Sequence, residues 1–305
     1  MDNEKKSVRV HYKKTKKRKE TLMFIIFVVP ALAFVLFATD IPFVMNIYYS
    51  VFDWNGISKN LTFVGIDNFR KIFTSDKTYW TSWWFTLRFT LFYVIIVNAI
   101  SLAIALMLST GNRFAQVGRA FYYIPYIISL TAISLIWEFI LGPAFDSLHE
   151  STGWSFFGMS WLGKPNLAFI VLVVITVWEN VGFYMINYIA GIVSVPRDYM
   201  EAARIDGANR WKAFWKVMFP LIMPSVSICF LTSLTFGFKL FDIIMVFTKG
   251  GPVNSTVSVA YNIYKEAFTN NHYGTATAKS LIFVAFILIV TGIQMRVTKK
   301  HEVEL

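Results

Sequence analysis

Apolar residues fall into six long blocks, at roughly 22–47, 85–109, 119–142, 167–192, 219–246 and 276–297, and polar residues collect between them. Each block reaches the about 20 residues that a helix needs to cross a bilayer. Within a block the apolar character is continuous, without the residue-by-residue alternation of a barrel strand. Only helices and closed barrels satisfy their backbone polar groups in lipid. The pattern predicts an all-α, polytopic membrane protein with six transmembrane helices.

One connection is more than a loop. Residues 201–220, EAARIDGANRWKAFWKVMFP, follow a start signal at Pro196 and Asp198. Tyr199–Asp206 form two helical turns, and Gly207 allows a left-handed exit. A second helix begins near Asn209, with Trp211, Phe214, Trp215 and Met218 at the spacing of one apolar face. Arg204, Arg210, Lys212 and Lys216 lie on the polar surface. Ala202, Ala203 and Gly207 leave little bulk beside Glu201, which makes a surface that another protein can approach closely. A helix pair lying in the headgroup layer fits the same pattern.

Composition names the solvent. With 56% hydrophobic residues, 15% charged residues and a mean hydropathy of +0.53, the chain lies outside the range of soluble domains. Of the 29 Lys and Arg, 19 fall before residue 20, in 111–119, in 193–218 or after 295. Seven, Lys59, Arg70, Lys71, Lys77, Lys164, Lys249 and Lys265, fall in the alternate connections. This asymmetry predicts an N-in, C-in orientation and puts the 193–220 loop in the cytoplasm. It also explains the net charge of +11 without any nucleic-acid partner. The run KKSVRVHYKKTKKRK reads as a topogenic tail in contact with the lipid bilayer. The expected division is a basic cytoplasmic tail over 1–20, a transmembrane domain over 21–300 and a cytoplasmic tail over 301–305. The first block is read as a retained span, because no small-x-small cleavage site follows it. Trp54, Trp80, Trp83 and Trp84 are expected to form an aromatic belt.

Soluble-site chemistry is missing from the sequence. No G-x-x-x-x-G-K-[ST] motif occurs, and neither H-E-x-x-H nor G-x-S-x-G does, so no catalytic residue is assigned and the chain is not expected to be an enzyme. His11, His149, His272 and His301 stand at no ligand spacing, and no metal site is expected. The lone Cys229 offers no disulfide.

Polar groups inside spans mark where a hydrophilic solute can pass. The fourth block holds Thr176, Glu179, Asn180, Phe183 and Asn187 on one broad face, and the fifth holds Ser233, Phe236, Gly237, Lys239, Leu240 and Asp242. Amide and carboxylate groups hydrogen-bond the hydroxyls of a polar solute, and a ring such as Phe183 or Phe236 offers it an apolar face. Plainer roles compete. Lys239 and Asp242 are spaced to neutralise each other, Asp40 and Glu138 are candidates to pair with Arg88 or Lys279, and Asn98 and Asn187 are candidates for interhelical hydrogen bonds.

The text resembles a known family. EAA at 201–203, Gly207 and the closing Val217-Met218-Phe219-Pro220 are similar to the EAA loop of ABC-importer permeases. FVGIDNF at 63–69, YIPYIIS at 123–129, Trp178 with VGF at 181–183, AGI at 190–192, FTKGGPVNST at 247–256 and YGTATAKSLIF at 273–283 match as well. They point to the maltose-transporter-like carbohydrate permeases, specifically the first, GGP-containing membrane subunit. The resemblance implies a type I ABC importer permease fold in a bacterial cell membrane. It also implies a second homologous permease subunit, two cytoplasmic ATPase subunits that bind ATP and Mg, and an extracellular solute-binding protein. Glu201, Ala202, Ala203, Asp206 and Gly207 would couple to the ATPase. Thr176, Glu179, Asn180 and Phe183, with Ser233, Phe236, Gly237 and Leu240, match sugar-facing positions by their distance from the EAA loop.

The solute expected is a carbohydrate, most simply an oligosaccharide. Lys239 keeps open a glycerol phosphate, a phosphodiester or an acidic sugar, whereas Glu179 favours a neutral solute by charge repulsion. A secondary transporter is the alternative class; it would be expected to carry inverted repeats, and none is evident.

Overall fold

The computed structural model describes the backbone of residues 2–299 and the side chains of 19–298. The tail expected at 301–305 lies outside the described residues, as do the side chains of most of the basic tail.

Helix α1 (Asp2–Val35) passes through a wide turn, Leu36–Asp40, into α2 (Ile41–Tyr49). The apolar part of this first span is uncovered by the rest of the chain. Contact comes at its end, where α2 packs on the last helix and Asn46 Nδ2 donates to Ser280 Oγ at 2.7 Å. A two-residue antiparallel ladder, β1 (Phe52–Asp53) against β2 (Thr62–Phe63), pairs Phe52 with Phe63. After α3 (Asp67–Thr74), Asp76 caps α4 (Lys77–Leu108) by accepting from the Tyr79 amide. The second span thus starts two turns before the apolar block does. Trp80 and Trp84 are exposed on it, as a belt requires, but Trp83 is buried, so the belt is incomplete.

The third block is two helices and not one. α5 (Arg113–Ile127) ends where Ile128 is extended, and Ser129 starts α6 (Leu130–Phe139) by accepting from the Ala132 amide. Pro125 cannot donate in the last turn, which weakens the helix just before the break. A wide turn, Ile140–Ala144, leads into α7 (Phe145–Thr152). Helix α8 (Pro165–Ser194) is the centre of the bundle and packs on α4, α5 and the twelfth helix.

The polar hairpin follows as α9 (Arg197–Ile205) and α10 (Arg210–Ala213), the latter running through the wide turn Phe214–Met218 into α11 (Phe219–Leu221). A 72° bend at Ile222 separates this from α12 (Met223–Phe238). Pro220 and Pro224 flank the bend, each lacking an amide that would continue the ladder. α12 stops at Phe238, eight residues short of the end of the apolar block. A wide turn at Ile244–Thr248, the short α13 (Val259–Tyr264) and α14 (Tyr273–Lys299) complete the chain. By length and composition, five helices among the described residues can cross a membrane, or six when the bent pair counts as one span.

Close packing depends on small residues, as is usual between membrane helices. A Cβ on Gly182 of α8 would lie against the Tyr122 carbonyl and 2.7 Å from Tyr123 Cα, both backbone atoms of α5. That glycine sets the α5–α8 distance and brings Tyr126 alongside Phe183.

Candidate translocation path and coupling hairpin

Helix α8 delivers most of the polar face that the fourth block foretells. Thr176 is fully buried and donates to the Leu172 carbonyl at 2.7 Å. Asn180 Nδ2 donates to the Thr176 carbonyl and to Glu179 Oε2, each at 2.9 Å, so the amide orients a carboxylate that is itself buried. Phe183 is half-buried and stacks on Tyr126 with centroids 4.9 Å apart. Asn187 turns back instead, donating to the Phe183 carbonyl of its own helix at 2.8 Å. Among the described residues it makes no interhelical bond of the kind expected; a bond to the carbonyl one turn back satisfies the amide locally.

From α12, Ser233 accepts a 2.8 Å bond from Asn98 Nδ2, and Asn98 Oδ1 accepts from the Tyr188 hydroxyl at 2.7 Å. This chain ties α12, α4 and α8 together. Phe236 packs on Tyr93 of α4, Gly237 abuts Thr90, and Leu240 is buried with its carbonyl accepting from Ser258 Oγ at 2.6 Å. Lys239 lies past the end of α12 and is exposed. It makes no ion pair with Asp242, because the helix has ended and the three-residue register is lost.

The other expected pairings also resolve differently. Asp40 and Glu138 are exposed and unpaired among the described residues. Arg88 stands over the Phe169 ring at 4.1 Å. Lys279, 1% exposed, pairs with Asp76 at 2.6 Å and Glu266 at 2.7 Å, and bonds Asn262 Oδ1 at 3.1 Å. Burial of a cation demands such partners, and the connections before α4 and after α13 supply them.

Asn98 makes the interhelical bonds expected of it, but the hydroxyls that accompany it on α4 are what sequence reasoning missed. Thr86, Thr90, Tyr93, Asn98 and Ser101 recur every three to five residues along this span, a polar stripe that meets α13 at Thr86 and α12 and α8 beyond it. Ser101 Oγ, for example, donates to the Val181 carbonyl at 3.0 Å. The stripe was readable as a period, but hydroxyls are common in spans and draw less notice than an acid or amide.

In the hairpin, Ala208 N donates to the Ala203 carbonyl at 2.9 Å across Gly207, whose φ is +78°. This is a glycine-terminated helix end. Asn209 then caps α10 by accepting from the Lys212 amide at 2.8 Å. Glu201, Ala202, Asp206 and Gly207 are exposed, while Ala203 is buried beneath them. Neither carboxylate has a side-chain partner among the described residues. The apolar face expected of the second helix is split. The wide turn rotates it, leaving Trp211 and Trp215 exposed and edge-on at 5.6 Å while Phe214 and Met218 are half-buried.

Residues 98–302 match the family model of the binding-protein-dependent transport system inner membrane component. The chain belongs to this family. The permease is 37% identical to the probable starch degradation products transport system permease protein AmyD of Thermoanaerobacterium thermosulfurigenes, over 96% of this chain and 99% of that one. It is 34% identical to the multiple sugar-binding transport system permease protein MsmF of Streptococcus mutans, over 86% and 90%. A 29% identity links it to the sn-glycerol-3-phosphate transport system permease protein UgpA of Agrobacterium fabrum, over 81% and 83%. Its fold is that of a chain in the crystal structure of a bacterial ABC transporter involved in the import of the acidic polysaccharide alginate. That likeness has a TM-score of 0.78 at 18% identity and covers 94% and 99%. The protein is therefore a multi-pass inner-membrane permease with an ABC importer fold.

Proposed function

We propose that this permease forms half of the translocation path of an ATP-driven importer for a neutral oligosaccharide, with its N- and C-termini in the cytoplasm. A second permease subunit completes the path, an external binding protein delivers the solute, and two ATPase subunits bind ATP and Mg and drive the cycle. Hydrolysis belongs to those subunits, since this sequence carries no nucleotide-binding motif.

The observation that carries the reading is the exposed hairpin. Glu201 and Asp206 stand unpaired among the described residues beside Ala202 and Gly207, on a turn fixed by two caps. Such a surface offers charged acceptors and little bulk, which suits insertion into a protein cleft. A charge-assisted hydrogen bond formed there is stronger than a neutral one. Movement of α9 and α10 reaches the path through α11 and the bend at Ile222, because α12 carries Ser233, Phe236 and Gly237.

The solute class rests on the relatives and on the face of α8. Asn180 and Glu179 present an amide and a carboxylate to hydroxyls, and Phe183 and Phe236 present rings. The test is solute-stimulated ATPase activity of the reconstituted importer carrying Asn180→Ala or Phe183→Ala. Both variants should alter its dependence on saccharide; an unchanged dependence in both removes the path from this face. A glycerol phosphate is the second reading, favoured by the exposed Lys239, which has no ion pair among the described residues, and Lys239→Met should weaken its uptake selectively.

A further inference from the structure

On the α12 side of the path, position 237 has no side chain and α4 fills the space. A Cβ on Gly237 would meet Thr90 Cγ2 at 2.8 Å, its Oγ1 at 2.9 Å and its Cα at 3.1 Å. Thr90 is 3% exposed, and its hydroxyl has no hydrogen-bond partner among the described residues. This sets it apart from other threonines of the bundle. Thr81, Thr86, Thr176, Thr232 and Thr235 each donate to the carbonyl four residues back. That local bond is the ordinary way for a helix to satisfy a hydroxyl. Thr90 forgoes it. One turn on, Tyr93 is fully buried with its ring 5.0 Å from Phe236 and its hydroxyl directed at that of Tyr184. Its electrostatic neighbours include Tyr184 and Glu179.

An unpaired buried hydroxyl destabilises a fold, and a bundle that keeps one at Thr90 needs a reason for it. We propose that Thr90, seconded by Tyr93, is a specificity-determining residue of the path. Its hydroxyl takes the place of a side chain at 237 and hydrogen-bonds a hydroxyl of the passing saccharide. The inference rests on the carbohydrate reading above. Gly237 is then kept small so that a polar group from α4 can reach the path.

The test compares wild type, T90V and T90S in the importer reconstituted with its partner permease, ATPase subunits and binding protein, using maltotriose and raffinose as probes. Valine keeps the shape and deletes the hydroxyl; serine keeps the hydroxyl. T90V should raise the half-saturating concentration of the stimulating probe about tenfold, the value of one lost hydrogen bond, and T90S should stay within about twofold. The unfolding temperature of T90V should equal or exceed that of wild type, because no protein partner is lost. A lower unfolding temperature marks a structural hydroxyl and overturns the inference. A responsive wild type that T90V matches also overturns it, leaving the hydroxyl to ordered water, while the carbohydrate reading stands. A wild type that neither probe stimulates rejects the carbohydrate reading, and the inference with it.

Discussion

The Lys279 ammonium lies 2.6 Å from the Asp76 carboxylate, joining α14 to the capping residue of α4 with 1% of the lysine side chain exposed. Glu266 closes the cluster from the other side at 2.7 Å. Removing the cation leaves two half-enclosed carboxylates facing each other, and breaking a buried pair costs about 3–5 kcal/mol. Lys279→Met should therefore lower the unfolding temperature of the detergent-solubilised permease sharply. Lys71→Met is the control: its pair with Asp67 is exposed, and such pairs contribute about 0–1 kcal/mol. Equal losses in the two variants would refute the assignment.

The same cluster sets an acid limit. Burial raises the pKa of Glu266, but the hydrogen bond and charge of Lys279, followed by those of His272, outweigh it and hold the carboxyl below its ordinary value. A carboxylate depressed in the folded state stabilises the fold above its unfolded pKa, about 4.3 for glutamate. That contribution is lost as pH falls through the lower, folded value. Unfolding temperature should thus decline on acidification below about pH 5 in wild type. Glu266→Gln should start lower at neutral pH and show a shallower decline; an identical slope would show that Glu266 does not carry it.

The spans were legible because continuous apolarity is a local property, and the hairpin because Gly207 and Asn209 are local turn and cap residues. The breaks at Ile128–Ser129 and Ile222 were not, since apolar residues run straight through both. Prolines mark these places, yet Pro30 sits inside α1 without dividing it, so a proline alone does not say where a span divides. Thr176, Asn180 and Ser233 stood out as polar letters in apolar text. Their counterparts on α4 needed the packing of three helices to acquire meaning. Lys279 was the hardest case, because its partners lie in connections whose return to the bundle no spacing rule encodes.

Coupling through the hairpin predicts a difference between fold and function at Gly207. Its Cβ position is open, with no heavy atom within 4 Å, so a side chain there meets only backbone strain at φ +78°. That strain is about 1–2 kcal/mol for a residue such as valine and less for asparagine. Gly207→Val should reach the membrane in nearly normal amount and lose most solute uptake, because the added bulk stands on the proposed docking surface. Glu201→Lys should behave alike by reversing a charge that has no internal partner. Normal uptake by both variants would falsify the coupling role.

Gly182 predicts the opposite balance, because there the added atom strikes backbone. The Cβ of Gly182→Ala would press on the Tyr122 carbonyl and on Tyr123 Cα, and neither can rotate away as a side chain would. Helix α5 must then shift, at the about 1–3 kcal/mol typical of overpacking. The shift carries Tyr126 off the Phe183 ring, so stability and the response to solute should fall together. Gly292→Ala is the matched control on α14. Nothing lies within 4 Å of its Cβ, and alanine favours helix over glycine by about 1 kcal/mol. A Gly182→Ala permease as stable as the Gly292→Ala protein would mean that α5 and α8 are not held at this distance.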